Sequence, residues 1–200
     1  STNTRQAADR GAGASNGTGS NDAPGKIAEN RARMATILGV TADCLLTAYQ
    51  IHSPDVVTVE RPWTHEARPR ADAIVTKTPR LAIGVSTADC GPLLFADQQA
   101  GVIGAAHAGW RGALTGVIEK TIAAMETLGA DRGRIAAALG PLIRKQNYEV
   151  SRNFVEEFLR ADEAHAQFFS PAAREGHAMF DLPGFVAARI ARSGVGFFED

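Results

Sequence analysis

"GVIGAAHAGWRGALTGVIEKTIAAMETLG", residues 101–129, holds the reading from which the fold follows. Its first seven residues form a short apolar run bounded by glycine, the pattern of a buried strand. Gly109 and Gly112 then let the backbone turn sharply. From about 111 to 128, Leu114, Val117, Ile118, Thr121, Ile122, Met125 and Leu128 recur at helical spacing, and Gly129 is placed to stop the helix. A strand that turns at once into an amphipathic helix is a building unit of α/β layers.

Working outward, "LLTAYQIH", "VVTVE", "ADAIVT", "LAIGVS", "PLLFAD" and "RIAAALG" repeat the strand texture between turn residues. "APGKIAENRARMATILG" reads as a helix with Pro24 at its start, Ile27, Met34 and Leu38 on one face, and Gly39 as its stop. Ser151 can cap a helix carrying Phe154, Val155, Phe158 and Leu159. Asp181 can cap a last one running through Phe185, Val186 and Ile190 to Gly194. The expected fold is a layered α/β sandwich, a mixed sheet flanked by helices, in a single domain over 23–200. Residues 1–22 contain no large apolar side chain and are expected to form a flexible arm.

The chain has 200 residues, 44% of them hydrophobic, enough for one sizeable core rather than two. Lys and Arg total 21 against 22 for Asp and Glu, so no bulk charge draws it to nucleic acid or a membrane surface. A charged ligand must be met locally. No stretch approaches the roughly 20 apolar residues of a membrane span, and the N-terminus lacks a signal-like apolar run. These features predict a cytoplasmic protein. In a reducing compartment Cys44 and Cys90 are expected as free thiols or a metal ligand rather than a disulfide, with Cys44 in the core.

Chemistry gathers at strand ends. His52 closes "AYQIH", Cys90 closes "LAIGVSTADC" and His107 closes "GVIGAAH". Two imidazoles and a thiolate suit zinc and leave a fourth position open. The three are far apart in sequence, so spacing alone equally allows an inert buried thiol and structural histidines. Asp89, beside Cys90, can orient a ligand, act as general base or merely cap a turn. In "AHAGWRGA" the free backbone N–H groups and positive helix end where Gly109 and Gly112 turn the chain, with the Arg111 guanidinium, suit an anion; the alternative is an arginine in a solvated first turn. Trp110 can wall a pocket for a flat ring or, like Trp63, simply pack. His65, His165 and His177 read as polar loop residues without a role.

Taken in order, "QIH", "ADAIVT", "STADCGPLLFAD", "GVIGAAHAGWRG", "IAAALGP" and "YEV" resemble the laccase-domain, or polyphenol-oxidase-like (YfiH-type), family, regarded as zinc-binding purine nucleoside phosphorylases. The likeness runs from about residue 20 to 196. It implies zinc, or alternatively copper, held by His52, Cys90 and His107. It also implies a nucleoside and phosphate as partners: phosphorolysis of adenosine, inosine or methylthioadenosine, with adenosine deamination as a further activity and copper-dependent phenol oxidation as an alternative. Cys90, His107, Asp89 and Arg111 are then the catalytic candidates. Arg111, Gly109, Gly112 and Trp110 are the candidates for holding phosphate and substrate. Two readings from other classes compete: a metal-free hydrolase with Cys90 as nucleophile, His107 as base and Asp89 as orienter, and a non-catalytic module with a structural metal. The family's Gly-rich opening is matched only loosely by "TRQAADRGAGASNGTGSND", and Gln146 and Asn147 stand where many members have cysteine. The family also continues past "GVGFFED", so its C-terminal stretch is expected to be lacking.

Overall fold

The computed structural model describes residues 23–200; the N-terminal arm expected over 1–22 lies outside the described residues. Helix α1 spans Pro24–Ile37 and is followed by strands β1 (Leu45–Thr47), β2 (Val56–Thr58), β3 (Ala73–Thr76), β4 (Ala82–Gly84), β5 (Gly91–Asp97) and β6 (Val102–Ala108). Helices α2 (Trp110–Thr115) and α3 (Val117–Thr127) come next, then β7 (Ala136–Leu139), β8 (Glu149–Ser151) and α4 (Arg152–Ala161). The chain ends through β9 (Phe169–Pro171), β10 (His177–Phe180), α5 (Leu182–Ser193) and β11 (Phe197–Glu199).

A six-stranded mixed sheet in the order β11-β7-β5-β6-β3-β2 forms the frame. Its outer pairs are parallel and its inner pairs antiparallel. The α/β layering expected from the sequence is therefore present. Strand β5 alternates as a one-faced strand must: Leu93 and Phe95 are buried while Leu94 and Ala96 face out. On the buried face Leu93, Phe95, Val102 and Ala106 pack with Ile118, Ile122 and Met125 of α3 and with Val186 and Ile190 of α5. On the other face the small parallel pair β1–β4 packs Leu46 and Ile83 with Ile74 of β3. Strands β8, β10 and β9 form a separate antiparallel sheet.

The long helix expected over 111–128 is two helices. Gly116, at φ 102°, breaks it with a left-handed residue that donates its N–H to Gly112 O, and α3 starts afresh at Val117. Other local expectations also shift. Leu38 is 55% exposed, whereas Ala35 of α1 is buried. Cys44 is half-buried rather than in the core, and both cysteines are free thiols. Ser151 stands at the start of α4 without a side-chain cap, whereas Asp181 does cap α5 by accepting the Gly184 N–H. His165 is not a polar loop residue: it is buried among Phe158, Phe168 and Phe185, with its Nδ1 3.0 Å from Phe158 O. Among the described residues no helix is long and apolar enough to cross a membrane.

Candidate functional site

Strand register assembles the site. In the β5–β6 ladder Gly91 faces Ala108 and Pro92 faces His107, so one further step sets Cys90 opposite Gly109. In the β3–β6 ladder Ala73 faces Ala106, and the next step sets Asp72 opposite His107, whose N–H donates 2.7 Å to Asp72 O. The third element is the loop after β1. That strand is shorter than the sequence suggests, and His52 lies in the loop beyond it. Likewise Cys90 precedes β5 rather than closing β4, and His107 is within β6. The three side chains nevertheless converge, with one ligand atom from each of His52, Cys90 and His107 within 4.8 Å of the others. The two imidazoles meet edge to face, ring centres 4.8 Å apart.

Asp72, which the sequence reading passed over, holds this arrangement. Its carboxylate is fully buried. It accepts the backbone N–H groups of Ile51 (3.0 Å), His52 (3.0 Å) and Ser53 (2.7 Å), and its Oδ1 is 2.8 Å from His107 Nδ1. Burial alone would raise its pKa, but the hydrogen bonds from His107 and the three amides outweigh that and hold it at about 2. Burial likewise opposes charge on His107, yet the bonds to Asp72 and Cys90 push it up to about 9. His52 sits at φ 59°, a left-handed conformation that costs a side-chain-bearing residue roughly 1–2 kcal/mol.

Gly109 is needed for a different reason from the turn first inferred. Its φ of −70° is open to any residue, but a Cβ there would lie 2.9 Å from Cys90 Sγ. A Cβ on Gly112 would lie 3.1 Å from Ser53 O, so this glycine lets α2 approach the loop that carries His52. Arg111 is exposed, with its guanidinium carbon 4.9 Å over the Trp110 ring, and Phe154 packs 4.7 Å from the same indole. Trp110 therefore contacts both side chains. With α2 only six residues long, its dipole is weak.

Asp89 is exposed and does not orient His107; that role falls to Asp72. The second residue that sequence reasoning missed is Tyr148, half-buried against Phe154 and Phe180. Burial, with the negative charges of Cys90 and Asp89 nearby, pushes its phenol up to about 12, so it stays an O–H donor. Its signal was the "YEV" segment; for Asp72 it was an aspartate opening the apolar run "ADAIVT".

The donor set suits one metal ion: two imidazoles, a thiolate and a backbone that leaves the sulfur room at Gly109. His65 and His177 stand apart from it.

A family model described as multi-copper polyphenol oxidoreductase laccase matches residues 7–198. A Deinococcus radiodurans protein named purine nucleoside phosphorylase is 42% identical over 175 residues, covering 88% of this chain and 66% of that protein. A Streptomyces coelicolor protein of the same name is 40% identical over 178 residues, covering 87% of this chain and 70% of that one. The chain thus spans about two thirds of the length of these curated relatives. Among solved structures, the Neisseria meningitidis protein NMB0706 superposes with a TM-score of 0.81 at 33% identity, covering 92% of this chain and 72% of its own. Bacillus licheniformis YfiH superposes at 0.82 with 24% identity and the same coverage, a likeness of fold.

Proposed function

Since the chain belongs to the multi-copper polyphenol oxidoreductase laccase family, with relatives named purine nucleoside phosphorylase, we propose that it is a zinc-dependent phosphorylase of adenosine, inosine or methylthioadenosine. Adenosine deamination is a further activity of the same site. The observation that carries this reading is the convergence of His52, Cys90 and His107 on one point beside Gly109, the residue that leads into α2 and its Arg111. Zinc rather than copper is the metal of this proposal, because two imidazoles and a thiolate suit it and a reducing cytoplasm disfavours copper(II).

Bound there, zinc would supply a Lewis acid and a water of lowered pKa. The protein's own groups do the rest. The Arg111 guanidinium, held over Trp110, and the N–H groups at the start of α2 bind phosphate, whose oxygen forms the new bond to the ribose carbon as the bond to the base nitrogen breaks. The departing base takes up a proton, and Tyr148, packed on the Phe154 that touches Trp110, keeps an O–H to donate. In deamination, Asp89 is the exposed carboxylate beside Cys90 that can take a proton from water. His52, Cys90 and His107, the last oriented by Asp72, would hold the metal.

One observation favours a second reading. Asp72 is hydrogen-bonded to His107, and the ligand atoms of His107 and Cys90 lie within 4.8 Å of each other, in the order of orienter, base and nucleophile of a cysteine hydrolase. A thiolate bound to zinc is a poor free nucleophile, so elemental analysis separates the two. About one zinc per chain supports the first reading, and metal-free protein with full activity overturns it.

The deciding activity experiment incubates the protein with adenosine, inosine or methylthioadenosine, with and without phosphate. Free base that appears only with phosphate supports phosphorolysis; inosine from adenosine without phosphate supports deamination. Phenol oxidation with added copper, and no nucleoside consumed, overturns the proposal.

A further inference from the structure

We propose that Asp72 is the positioning residue of the site, a single buried carboxylate that sets both His52 and His107 for the same ion. The inference rests on reading His52, Cys90 and His107 as a metal site.

Asp72 immediately precedes β3, and its backbone is tied on both sides: its N–H donates to Asp55 O and its carbonyl accepts from His107 N–H. The main chain that carries the carboxylate is therefore fixed on both sides. Oδ1 then takes His107 Nδ1 at 2.8 Å and the His52 N–H at 3.0 Å. Oδ2 takes the Ser53 N–H at 2.7 Å and the Ile51 N–H at 3.0 Å. Four donors meet the four lone-pair directions of one carboxylate.

Each half of this arrangement sets one ligand. With Nδ1–H donating to Asp72, a neutral His107 carries its lone pair on Nε2, the nitrogen able to bind a metal in place of a proton. On the other side, three consecutive N–H groups pointing at one anion hold the 51–53 backbone in the turn that gives His52 its φ of 59°. Without that anion the left-handed residue has nothing to hold it, and the imidazole leaves its place beside Cys90. Asparagine cannot substitute, because its one oxygen cannot serve four donors and its NH2 would face N–H groups.

A buried carboxylate can also matter only for stability, and Asp97 is the control for that. It is equally buried, accepts the N–H groups of Gln99, Ala100 and Asp131, and pairs with Arg134. It lies at the far end of β5 from Cys90, about 20 Å along the strand.

The test is zinc affinity, by competition with a chelator, of the wild-type chain and the folded Asp72→Asn and Asp97→Asn variants. We expect Asp72→Asn to bind zinc about 10- to 100-fold more weakly. Asp97→Asn should lose thermal stability but keep the wild-type zinc affinity. Wild-type affinity in Asp72→Asn, or equal weakening in both variants, overturns the inference while leaving the metal reading in place. A wild-type chain that takes up no zinc overturns the metal reading, and this inference with it. Should Asp72→Asn fail to fold, nitrogen-15 NMR of the zinc-loaded wild type decides. His107 protonated on Nδ1 supports the assignment, and protonation on Nε2 overturns it.

Discussion

Gly109 and Cys90 are packed backbone against sulfur: a Cβ on Gly109 would lie 2.9 Å from Cys90 Sγ and 3.2 Å from Cδ2 of His52. The glycine is a spacer for two ligands at once, not a hinge, since its φ of −70° suits any residue.

Gly109→Ala should therefore fold normally yet bind metal poorly. Overpacking of this kind costs about 1–3 kcal/mol, which corresponds to roughly a 5- to 150-fold loss of zinc affinity at 1.4 kcal/mol per decade. Thermal unfolding of the zinc-free protein should change little. Unaltered zinc affinity in the alanine variant would show that the sulfur moves aside freely.

His52→Ala, Cys90→Ala and His107→Ala should each abolish turnover and lower the zinc content of purified protein, because losing one of three ligands removes much of the site's affinity. His52 is the informative member. The cysteine-hydrolase reading uses only Cys90, His107 and Asp72, so an active, metal-free His52→Ala protein would favour it over the zinc enzyme.

The layered fold was legible because the apolar runs that became β3, β5, β6 and β7 bury nearly every second residue or more, and burial of that kind writes itself into sequence. Strands β9, β10 and β11 were not, since "FSP", "HAMF" and "FFE" are short and carry no clear alternation. The break at Gly116 was hidden because Leu114, Val117 and Ile118 keep helical spacing across it. Cys90 and His107 were recognisable as chemistry at loop mouths. Asp72 was not, because its role depends on register: only the pairing of β3 with β6 sets it across from His107. His165 misled for the opposite reason, since its polar neighbours in sequence, Glu163 and Gln167, say nothing of the phenylalanines that enclose it.

Acid should expose the role of Asp97. The Asp131 N–H and the Arg134 guanidinium hold its carboxyl at about 2, below its value of about 3.9 in an unfolded chain. A depressed folded-state pKa stabilises above the unfolded value, and that contribution is lost as pH falls from about 4 through 2. The stability gap between wild type and Asp97→Asn should be constant above about pH 5 and shrink across that acid window. Denaturant unfolding at a series of pH values measures it, and a gap independent of pH would show that Asp97 acts through packing rather than charge.

Arg111 offers the sharpest test of the phosphate subsite. Its guanidinium lies over the Trp110 indole, which also packs against Phe154, so the ring contact favours one placement of the planar group. A guanidinium presents two parallel donors to a phosphate; an ammonium does not, and it stacks less well on an aromatic face. The charge-assisted contact is worth roughly 1.5–3 kcal/mol, so Arg111→Lys should raise the phosphate requirement of phosphorolysis about 10- to 100-fold at 1.4 kcal/mol per decade. Zinc content should not follow, because Arg111 is not among the three converging ligands. Deamination, which consumes no phosphate, should also change little. The measurement is phosphorolysis rate against phosphate concentration for both proteins. An unchanged dependence would return Arg111 to an exposed first-turn residue and leave phosphate to the backbone N–H groups at the start of α2.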